Sequence, residues 1–240
     1  MNIALIGYGK MGKAIEKIAE ERGHKIVLIC NSEVSVTHAD FTNVDLAIEF
    51  TQPKLAVDHI EFCIEKKIPI IVGTTGWNDK LVEVEKKVKE LNGSLLHASN
   101  FSIGVNVFFE LNKKLAELMS GKNGYAASIE EIHHIQKIDS PSGTAITLAD
   151  GILEKNDDYI SWVLGKDEVP YTNPNQLSLT SYRKPDVPGT HSVKYSSGID
   201  TIEITHEAHN RKGFALGAVI AAEWLLGKKG TFKMNDVLNF

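Results

Sequence analysis

The 240-residue sequence is poor in the features that identify several common classes of protein. Its two cysteines, Cys30 and Cys63, lie in apolar segments, which excludes a disulfide framework and the ligand spacing of a zinc site. There are 26 basic and 31 acidic residues, and the net charge of −5 argues against a general nucleic-acid-binding protein. The longest apolar stretch, residues 214–226, contains Glu223 and falls short of the roughly 20 residues that a membrane span needs.

The N-terminus has no signal-peptide layout, because it enters a strand-like run directly. These absences lead us to expect a cytoplasmic protein that binds neither nucleic acid nor membranes and holds no metal ion. The composition is 42% hydrophobic and 24% charged, as is usual for globular proteins. The length suffices for two modest domains or one large one.

A glycine-rich turn follows the first predicted strand, residues 2–6, and precedes apolar residues at helical spacing. In this context a G-x-G-x-x-G motif predicts dinucleotide binding, and a plain tight turn is the alternative. Gly7 would allow the turn, Gly9 the close approach of the pyrophosphate, and Gly12 the packing of helix on strand. All residues of the turn are predicted cofactor contacts: Gly7, Tyr8, Gly9, Lys10, Met11 and Gly12.

Further apolar segments indicate that the turn belongs to a parallel sheet. These predicted strands are residues 25–30, 45–50, 68–72 and 94–97. Gly73, Thr74 and Thr75 come directly after the third of them. Because ligands of open α/β sheets lie at the carboxyl ends of strands, we expect these three residues to line the nicotinamide side of the cofactor cleft.

Asn31 follows the strand at residues 25–30, where an acidic residue normally binds the ribose hydroxyls of NAD. An asparagine can hydrogen-bond to a ribose hydroxyl, but it neither repels a 2′-phosphate nor attracts one. The sequence therefore leaves the preference between NADH and NADPH open, and use of both fits this residue.

Residues 130–144 contain the candidate proton donors. Strand alternation places His133 on the same face as Glu131 and His134 on the other. His133 can exchange a proton near neutral pH, and Lys137 offers either a proton or a fixed positive charge. A structural histidine and a solvated lysine are the alternatives, but their combination within fifteen residues favours a site.

The same segment ends in a turn that predicts a binding site for a carboxylate. Apolar residues at helical spacing follow it, so Ser142 or Thr144 is the predicted N-cap of a helix. A helix start presents free N–H groups and partial positive charge, and Gly143 lets a ligand approach the backbone closely.

The C-terminal half predicts a mixed sheet. Residues 176–182, 191–195 and 201–205 alternate like antiparallel strands, whereas the polar residues 156–175 are predicted to be a surface excursion. Such a sheet could also pair between subunits.

The apolar segment 214–226 predicts a buried helix that returns to the first sheet. The predicted fold class is therefore α/β. A discontinuous, Rossmann-like dinucleotide-binding domain comprises residues 1–101 and 213–240, and a second α+β domain for substrate binding and oligomerisation comprises residues 102–212.

Five motifs carry a resemblance to a known family, and they are Glu131-x-His133-His134-x-x-Lys137-x-Asp139-x-Pro141-Ser142-Gly143-Thr144-Ala145, Gly73-Thr74-Thr75-Gly76, Ser99-Asn100-Phe101-Ser102-x-Gly104-Val105-Asn106, Val187-Pro188-Gly189-Thr190 and Ile204-Thr205-His206. In these motifs the chain resembles the 4-hydroxy-tetrahydrodipicolinate reductases, also called dihydrodipicolinate reductases. The resemblance covers most of the chain. Its first motif is long and ungapped, so a chance match is improbable.

The resemblance implies reduction of 4-hydroxy-tetrahydrodipicolinate, a cyclic dicarboxylate, to tetrahydrodipicolinate with loss of water, on the diaminopimelate and lysine route. NADH, NADPH or both would supply the hydride. His133 and Lys137 would be the catalytic proton donors, and His134, Gly143 and Thr144 would bind the substrate carboxylates. The resemblance also implies a homotetramer and a further cofactor loop, which doubles as a hinge between the domains, at Ala98, Ser99, Asn100 and Phe101.

The sequence departs from the family pattern in two places. The first glycines of the turn are one residue closer together than in the usual G-x-x-G-x-x-G, although Lys10 falls where the family tends to carry a basic residue. The segment 189–206 is shorter than usual, which leaves the geometry of the oligomer open. Whether Arg211 reaches the cofactor is also open.

Two alternative functions remain at this stage. An aspartate-semialdehyde dehydrogenase shares the coarse layout but needs a nucleophilic cysteine, and Cys30 and Cys63 lie in a predicted strand and on a helix face. A non-catalytic dinucleotide sensor is the other, and it would bind cofactor without turnover.

Overall fold

A computed structural model of the chain describes residues 1–165 and 173–240. The chain divides into two compact units, of which the first contains Met1–Ile103 and Arg211–Phe240 and the second contains Gly104–Asn210. The predicted boundaries differ from these by two residues at each junction. The first segment was predicted to end at residue 101 and ends at Ile103, and the second was predicted to begin at residue 213 and begins at Arg211.

The elements of the described residues are numbered in chain order. The strands are β1 (Asn2–Ile6), β2 (Lys25–Cys30), β3 (Leu46–Glu49), β4 (Ile70–Val72), β5 (Ser94–His97), β6 (Ala126–His133), β7 (Ser161–Leu164), β8 (Gln176–Arg183), β9 (Thr190–Ser196), β10 (Thr201–Glu207) and β11 (Gly230–Phe232). The α-helices are α1 (Lys10–Glu21), α2 (Pro53–Glu65), α3 (Leu81–Glu90), α4 (Ile103–Met119), α5 (Gly143–Lys155), α6 (Lys212–Leu225) and α7 (Met234–Leu238).

The first unit is built on a parallel sheet in the order β11-β5-β4-β3-β1-β2. Its central strands are buried on both faces, which is why they read as continuous apolar runs in the sequence. No strand beyond residues 94–97 was predicted for this sheet, and that prediction was wrong. β11 pairs with β5 beyond it, but three residues are too few to show a period.

Helices cover both faces of this sheet. α2 and α3 contribute Ile60 and Val84 to one apolar cluster, and α1 and α6 contribute Ile15 and Val219 to the other. The predicted return of the C-terminal apolar helix is therefore observed as α6. A short 3-10 turn at Val36–His38 takes the place of a full crossover helix between β2 and β3.

Two local predictions for the first unit are wrong. Helical spacing in the sequence predicts a buried stripe of Leu55, Val57, Ile60 and Ile64 on α2, but Leu55 is 38% exposed and the neighbouring Ala56 is buried instead. The residue types at Asn78 and Asp79 predict that one of them is the N-cap of the third helix. Both lie instead in a 3-10 turn, Asn78–Lys80, and α3 begins at Leu81 without a side-chain cap. The turn satisfies some of the N–H groups that a cap would otherwise bind.

The second unit contains a mixed sheet in the order β10-β9-β6-β8-β7. β9 pairs antiparallel with β10, as predicted, and also with β6. β8 was expected to be antiparallel too, but it pairs parallel with both β6 and β7. The predicted excursion at residues 156–175 is partly wrong, because β7 lies within it, and its residues 166–172 lie outside the described residues. Alternation shows that a segment is half-buried but not the direction of its partner.

The described helices include none that is both long enough and apolar enough to cross a membrane.

Ser142 is the N-cap of α5, and its hydroxyl accepts the N–H of Ala145 at 3.2 Å. This confirms one of the two caps that the sequence left open.

Candidate active site

The glycine turn of the first unit is shaped by close backbone contacts. Gly7 has a φ of +98°, and a Cβ atom there would overlap the carbonyl oxygen of Phe50. A Cβ atom at Gly12 would overlap the carbonyl oxygen of Gly7, whereas one at Gly9 would meet nothing within 4 Å. Gly7 and Gly12 are thus required by packing, and Gly9 leaves open space beside the start of α1. This is where a ligand's phosphate can approach backbone N–H groups.

A cavity of about 460 Å³ joins this turn to the loop after β4. Six of the predicted cofactor residues line it, namely Gly9, Lys10, Met11, Gly73, Thr74 and Thr75. Thr74 supports the wall, because its hydroxyl accepts the N–H of Thr51 at 2.7 Å. The structure therefore brings the two predicted cofactor loops to one cavity.

Sequence reasoning missed three lining residues of that cavity, Phe50, Thr51 and Pro53. They follow β3, so their place at the carboxyl end of a parallel strand was the signal that could have identified them. A Cβ atom at Gly73 would overlap the ring of Phe50, which shows how closely the two loops pack.

The other predicted cofactor residues are not in the lining of this cavity. The Tyr8 hydroxyl donates to the carboxylate of Glu16. Phe101 is 2% exposed and packs with its ring 5.8 Å from that of Phe50, and the side-chain oxygen of Asn100 accepts the N–H of Ser102 at 2.9 Å. In this geometry Phe101 is a core residue, and the loop that contains it, with Ala98 and Ser99, reaches the cavity indirectly through Phe50.

The side-chain oxygen of Asn31 is bound within its own turn. It accepts the N–H groups of Glu33 and Val34 at 2.8 and 3.0 Å. This oxygen therefore shapes the backbone after β2, and a ribose hydroxyl would have to compete with two N–H donors for it.

In the second unit, the buried face of β6 carries the candidate acid site. Glu131 is 0% exposed and His133 is 7% exposed. The strand was predicted to continue through His134, but it ends at His133, so strand alternation does not set the direction of His134. The carboxylate of Glu131 accepts the Ser142 N–H at 3.1 Å and the Ser181 hydroxyl at 2.5 Å. It thereby ties β6 to the start of α5.

Two histidines and an arginine surround the same carboxylate. The distances from Glu131 oxygens are 3.4 Å to Nδ1 of His133, 3.5 Å to Nε2 of His191 and 3.7 Å to Nη1 of Arg183. His191 and Arg183 were not predicted, because they lie some 50 residues along the chain, on β9 and β8, without a local motif.

These neighbours set the charges of the site. Although burial alone would raise the pKa of Glu131, hydrogen bonds from His191, Ser142 and Ser181 lower that pKa to about 2. Burial and the neighbouring His191 lower the pKa of His133, Glu131 opposes both effects, and the resulting pKa is about 4. At neutral pH in this structure, His133 is therefore neutral beside an ionised carboxylate.

Lys137 and the start of α5 complete the set of predicted substrate residues. The Lys137 ammonium lies 2.9 Å from a carboxylate oxygen of Asp139, and its positive charge contributes to the low pKa of His133. Gly143 and Thr144 are the first residues of α5, next to the cap at Ser142. The site thus combines an imidazole, an ammonium group and a helix start within one unit.

The ring nitrogens of His133 and His191 and a carboxylate oxygen of Glu131 lie within 4.8 Å of one another, a spacing that metal ligands can have. Sequence analysis expected no metal. The guanidinium of Arg183 and the hydrogen bonds from Ser142 and Ser181 occupy the carboxylate. A metal ion bound to this carboxylate would have to displace these partners.

Buried histidines also make stability depend on pH. Burial lowers the pKa of His97, in the first unit, to about 4, as it does for His133. Each folded-state pKa lies below the unfolded value, so the unfolded state binds more protons between about pH 6.5 and 4. The stability that these neutral histidines contribute is present above pH 6.5 and is lost as the pH falls through this window.

When the pH is lowered from 7 to 4.5, the unfolding free energy of wild type should fall because His97 must take up a proton on unfolding. In the His97→Gln variant we expect this fall to be smaller by about 2 kcal/mol. Urea unfolding at both pH values measures this, and the exposed His38→Gln is the control. Equal losses in wild type and His97→Gln would contradict the assignment.

The family models that match this chain are "Dihydrodipicolinate reductase, N-terminus" over residues 1–101 and "Dihydrodipicolinate reductase, C-terminus" over residues 104–238. The chain is 50% identical to a protein of Christiangramia forsetii named 4-hydroxy-tetrahydrodipicolinate reductase, with 100% of this chain and 98% of that protein covered. A protein of the same name from Buchnera aphidicola is 35% identical over 93% of this chain and 82% of its own length.

Among solved structures, a dipicolinate-bound dihydrodipicolinate reductase from Paenisporosarcina sp. TG-14 matches with a TM-score of 0.71 at 20% identity, covering 97% of each chain. An aspartate semialdehyde dehydrogenase II from Vibrio cholerae matches with a TM-score of 0.55 at 13% identity, covering 93% of this chain and 97% of that chain. At these identities the structural matches show a shared fold. The family models and the curated relatives show more, and they confirm the assignment made from sequence: the chain belongs to the dihydrodipicolinate reductase family, a family of dinucleotide-binding oxidoreductases.

Proposed function

We propose that this chain reduces 4-hydroxy-tetrahydrodipicolinate to tetrahydrodipicolinate and water with NADH or NADPH, and that His133 and Lys137 handle the protons. The observation that carries the proposal is the buried pair of His133 and Glu131 beside the helix start at Gly143 and Thr144. A cyclic dicarboxylate needs this combination of a proton donor and anion-binding groups.

The residues of the first unit fit a dinucleotide, as the open space at Gly9 and the cavity beside it indicate. The turn Gly7–Gly12 would bind the pyrophosphate, with Lys10 near a phosphate, and Gly73, Thr74 and Thr75 would contact the nicotinamide side. When bound, the reduced nicotinamide supplies a hydride to a ring carbon of the substrate. We include Tyr8, Met11, Ala98, Ser99, Asn100 and Phe101 among the cofactor contacts of this proposal.

His133 would exchange a proton with the substrate at the centre next to the reduced carbon. Its neutral state in this structure requires that it receive a proton as the anionic substrate binds, and two substrate carboxylates raise the pKa of a neighbouring imidazole. Lys137 would be the second proton donor. His134 would bind a substrate carboxylate together with the N–H groups of Gly143 and Thr144.

The same proposal extends to cofactor use, assembly and location. The Asn31 oxygen is bound to its own turn. Residue 31 has no carboxylate to bind the ribose hydroxyl of NADH and no guanidinium to bind the 2′-phosphate of NADPH, so we propose that both dinucleotides are used. A homotetramer formed through the second unit, and a cytoplasmic location, complete the proposal.

Aspartate-semialdehyde dehydrogenase activity is disfavoured by both cysteines. Burial raises the pKa of Cys30 to about 11 and raises that of Cys63 as well, and the two side chains are 2% and 0% exposed. A catalytic thiol needs to be accessible and partly ionised. The structural match to such an enzyme therefore reflects the fold.

A coupled assay tests the proposal. The product of condensing pyruvate with aspartate semialdehyde is offered with NADH and, separately, with NADPH. We expect loss of absorbance at the nicotinamide wavelength with both cofactors. The two rates should differ by less than about tenfold, which corresponds to a difference of about 1.4 kcal/mol in binding or activation free energy between NADH and NADPH. No absorbance loss with either would contradict the proposed reaction, and a much larger ratio would contradict dual use.

A further inference from the structure

Glu131 contacts groups from several elements of the second unit. Its fully buried side chain lies on β6, yet its oxygens accept the backbone N–H of Ser142 before α5 and the hydroxyl of Ser181 on β8. The guanidinium of Arg183, also on β8, lies 3.7 Å away. A buried carboxylate is stable only with such partners. Because the partners lie on different elements, Glu131 fixes the positions of these elements relative to His133.

The imidazole of His133 has two different surroundings. Nδ1 lies 3.4 Å from Oε2 of Glu131, within reach of its negative charge, although the two atoms do not make a hydrogen bond in this structure. Nε2 lies near Gly189, where even a Cβ atom would be only 3.1 Å from it. A carboxylate at Nδ1 favours the tautomer with hydrogen on that nitrogen and stabilises the imidazolium form. The absence of a side chain at residue 189 spares Nε2 the close contact that a Cβ atom would make there.

Arg183 connects this carboxylate to the loop that contains Lys137. Nη2 donates to the carbonyl oxygen of Asp139 at 2.7 Å, and Nε donates to the carbonyl oxygen of Lys137 at 3.4 Å. Nη1 donates to the Ser181 hydroxyl at 2.8 Å and faces Glu131. A lysine has no planar set of donors that could make these bonds together. The guanidinium therefore holds the loop against β8.

We propose that Glu131 and Arg183 are positioning residues. Glu131 orients the imidazole of His133, and Arg183 holds the loop that contains Lys137. The ion pair between Glu131 and Arg183 fixes the positions of the two proton donors relative to each other. This inference rests on the proposed function, in which His133 and Lys137 exchange protons with the substrate.

The Glu131→Gln variant tests the first half. It keeps the size of the side chain and removes its charge, so we expect kcat to fall about 100-fold or more, as when the carboxylate that orients a catalytic histidine is neutralised. The KM for the dinucleotide should not change. Since the carboxylate raises the pKa of His133, the alkaline limb of the kcat profile should move to lower pH. Glu131→Asp should recover part of the loss, and Glu130→Gln, on the opposite strand face, should behave as wild type.

The Arg183→Lys variant tests the second half. It keeps the positive charge but loses the bonds to the carbonyl oxygens of Lys137 and Asp139. We expect kcat to fall about 10- to 100-fold through misplacement of Lys137, with the alkaline limb unchanged. The matched control is Lys184→Gln, which removes an exposed positive charge from the adjacent residue. The same loss in this control as in Arg183→Lys would overturn the role of Arg183.

A measurement without turnover separates this proposal from the proposed function. NMR of the ¹⁵N-labelled histidines, assigned with His133→Ala, reports the tautomer and titration of His133. We expect hydrogen on Nδ1 in wild type and loss of that preference in Glu131→Gln. An unchanged tautomer with unchanged kcat overturns the inference. If wild type shows no turnover with either dinucleotide, the proposed function fails while the tautomer still decides the role of Glu131. If Glu131→Gln does not fold, Glu131→Asp and Arg183→Lys decide it.

Discussion

Replacing His133 with alanine is expected to lower kcat by about 10²- to 10⁴-fold, the usual contribution of a general acid or base. The imidazole lies 3.4 Å from the carboxylate of Glu131, and alanine removes it without introducing a new charge. Binding of NADH should persist, because its predicted contacts lie in the first unit. Initial rates and calorimetric titration with NADH measure the two quantities.

Lys137→Ala should give a loss of similar size for a different reason. Its ammonium is held by Asp139 at 2.9 Å, so the variant removes both a proton donor and a charge for an anionic substrate, and KM for the substrate should rise as well. The exposed His38→Ala is the control for both variants. Turnover within threefold of wild type in His133→Ala or Lys137→Ala would contradict the assigned role. A chain that binds dinucleotide but never turns over would instead be a sensor.

The glycines of the turn should separate folding from cofactor binding. In Gly12→Ala the new methyl group overlaps the carbonyl oxygen of Gly7, so we expect the unfolding free energy to fall by about 1–3 kcal/mol or more. In Gly9→Ala the methyl group meets no protein atom within 4 Å, so stability should change by less than about 0.5 kcal/mol.

The effects of the two variants on cofactor binding should be the reverse of their effects on stability. Gly9→Ala fills the space where the pyrophosphate approaches the backbone, so its Kd for NADH should rise about tenfold or more while its fold is intact. Chemical denaturation and calorimetric titration of both variants check this. Unchanged NADH affinity in a folded Gly9→Ala would mean that the turn does not bind the dinucleotide.

Local patterns predicted the parts of the site that depend on sequence neighbours. The alternation around His133, the cap at Ser142 and the strand–turn–helix at Gly7 each need only a few adjacent residues, and the structure contains all three. The parallel sheet was recognisable because strands buried on both faces are apolar throughout.

Long-range partners could not be read from the sequence. Arg183 and His191 meet Glu131 only through the pairing of β8 and β9 with β6, and strand alternation does not specify which strands pair or in which direction. Phe50 enters the cavity wall because of the fold of the first unit, not because of a motif. Short elements such as β7 and β11 carry too few residues for a period to appear.

The pairing of β11 with β5 has a consequence for biosynthesis. The sheet edge and the helix α6 that covers one of its faces come from residues 211–240, whereas the second unit consists entirely of residues 104–210. A ribosome therefore delivers the whole second unit before it delivers the last pieces of the first. The nucleotide-binding half begins translation and is the last to be completed, so the sheet face that α1 and α6 share stays only partly covered until after the whole inserted half has been made.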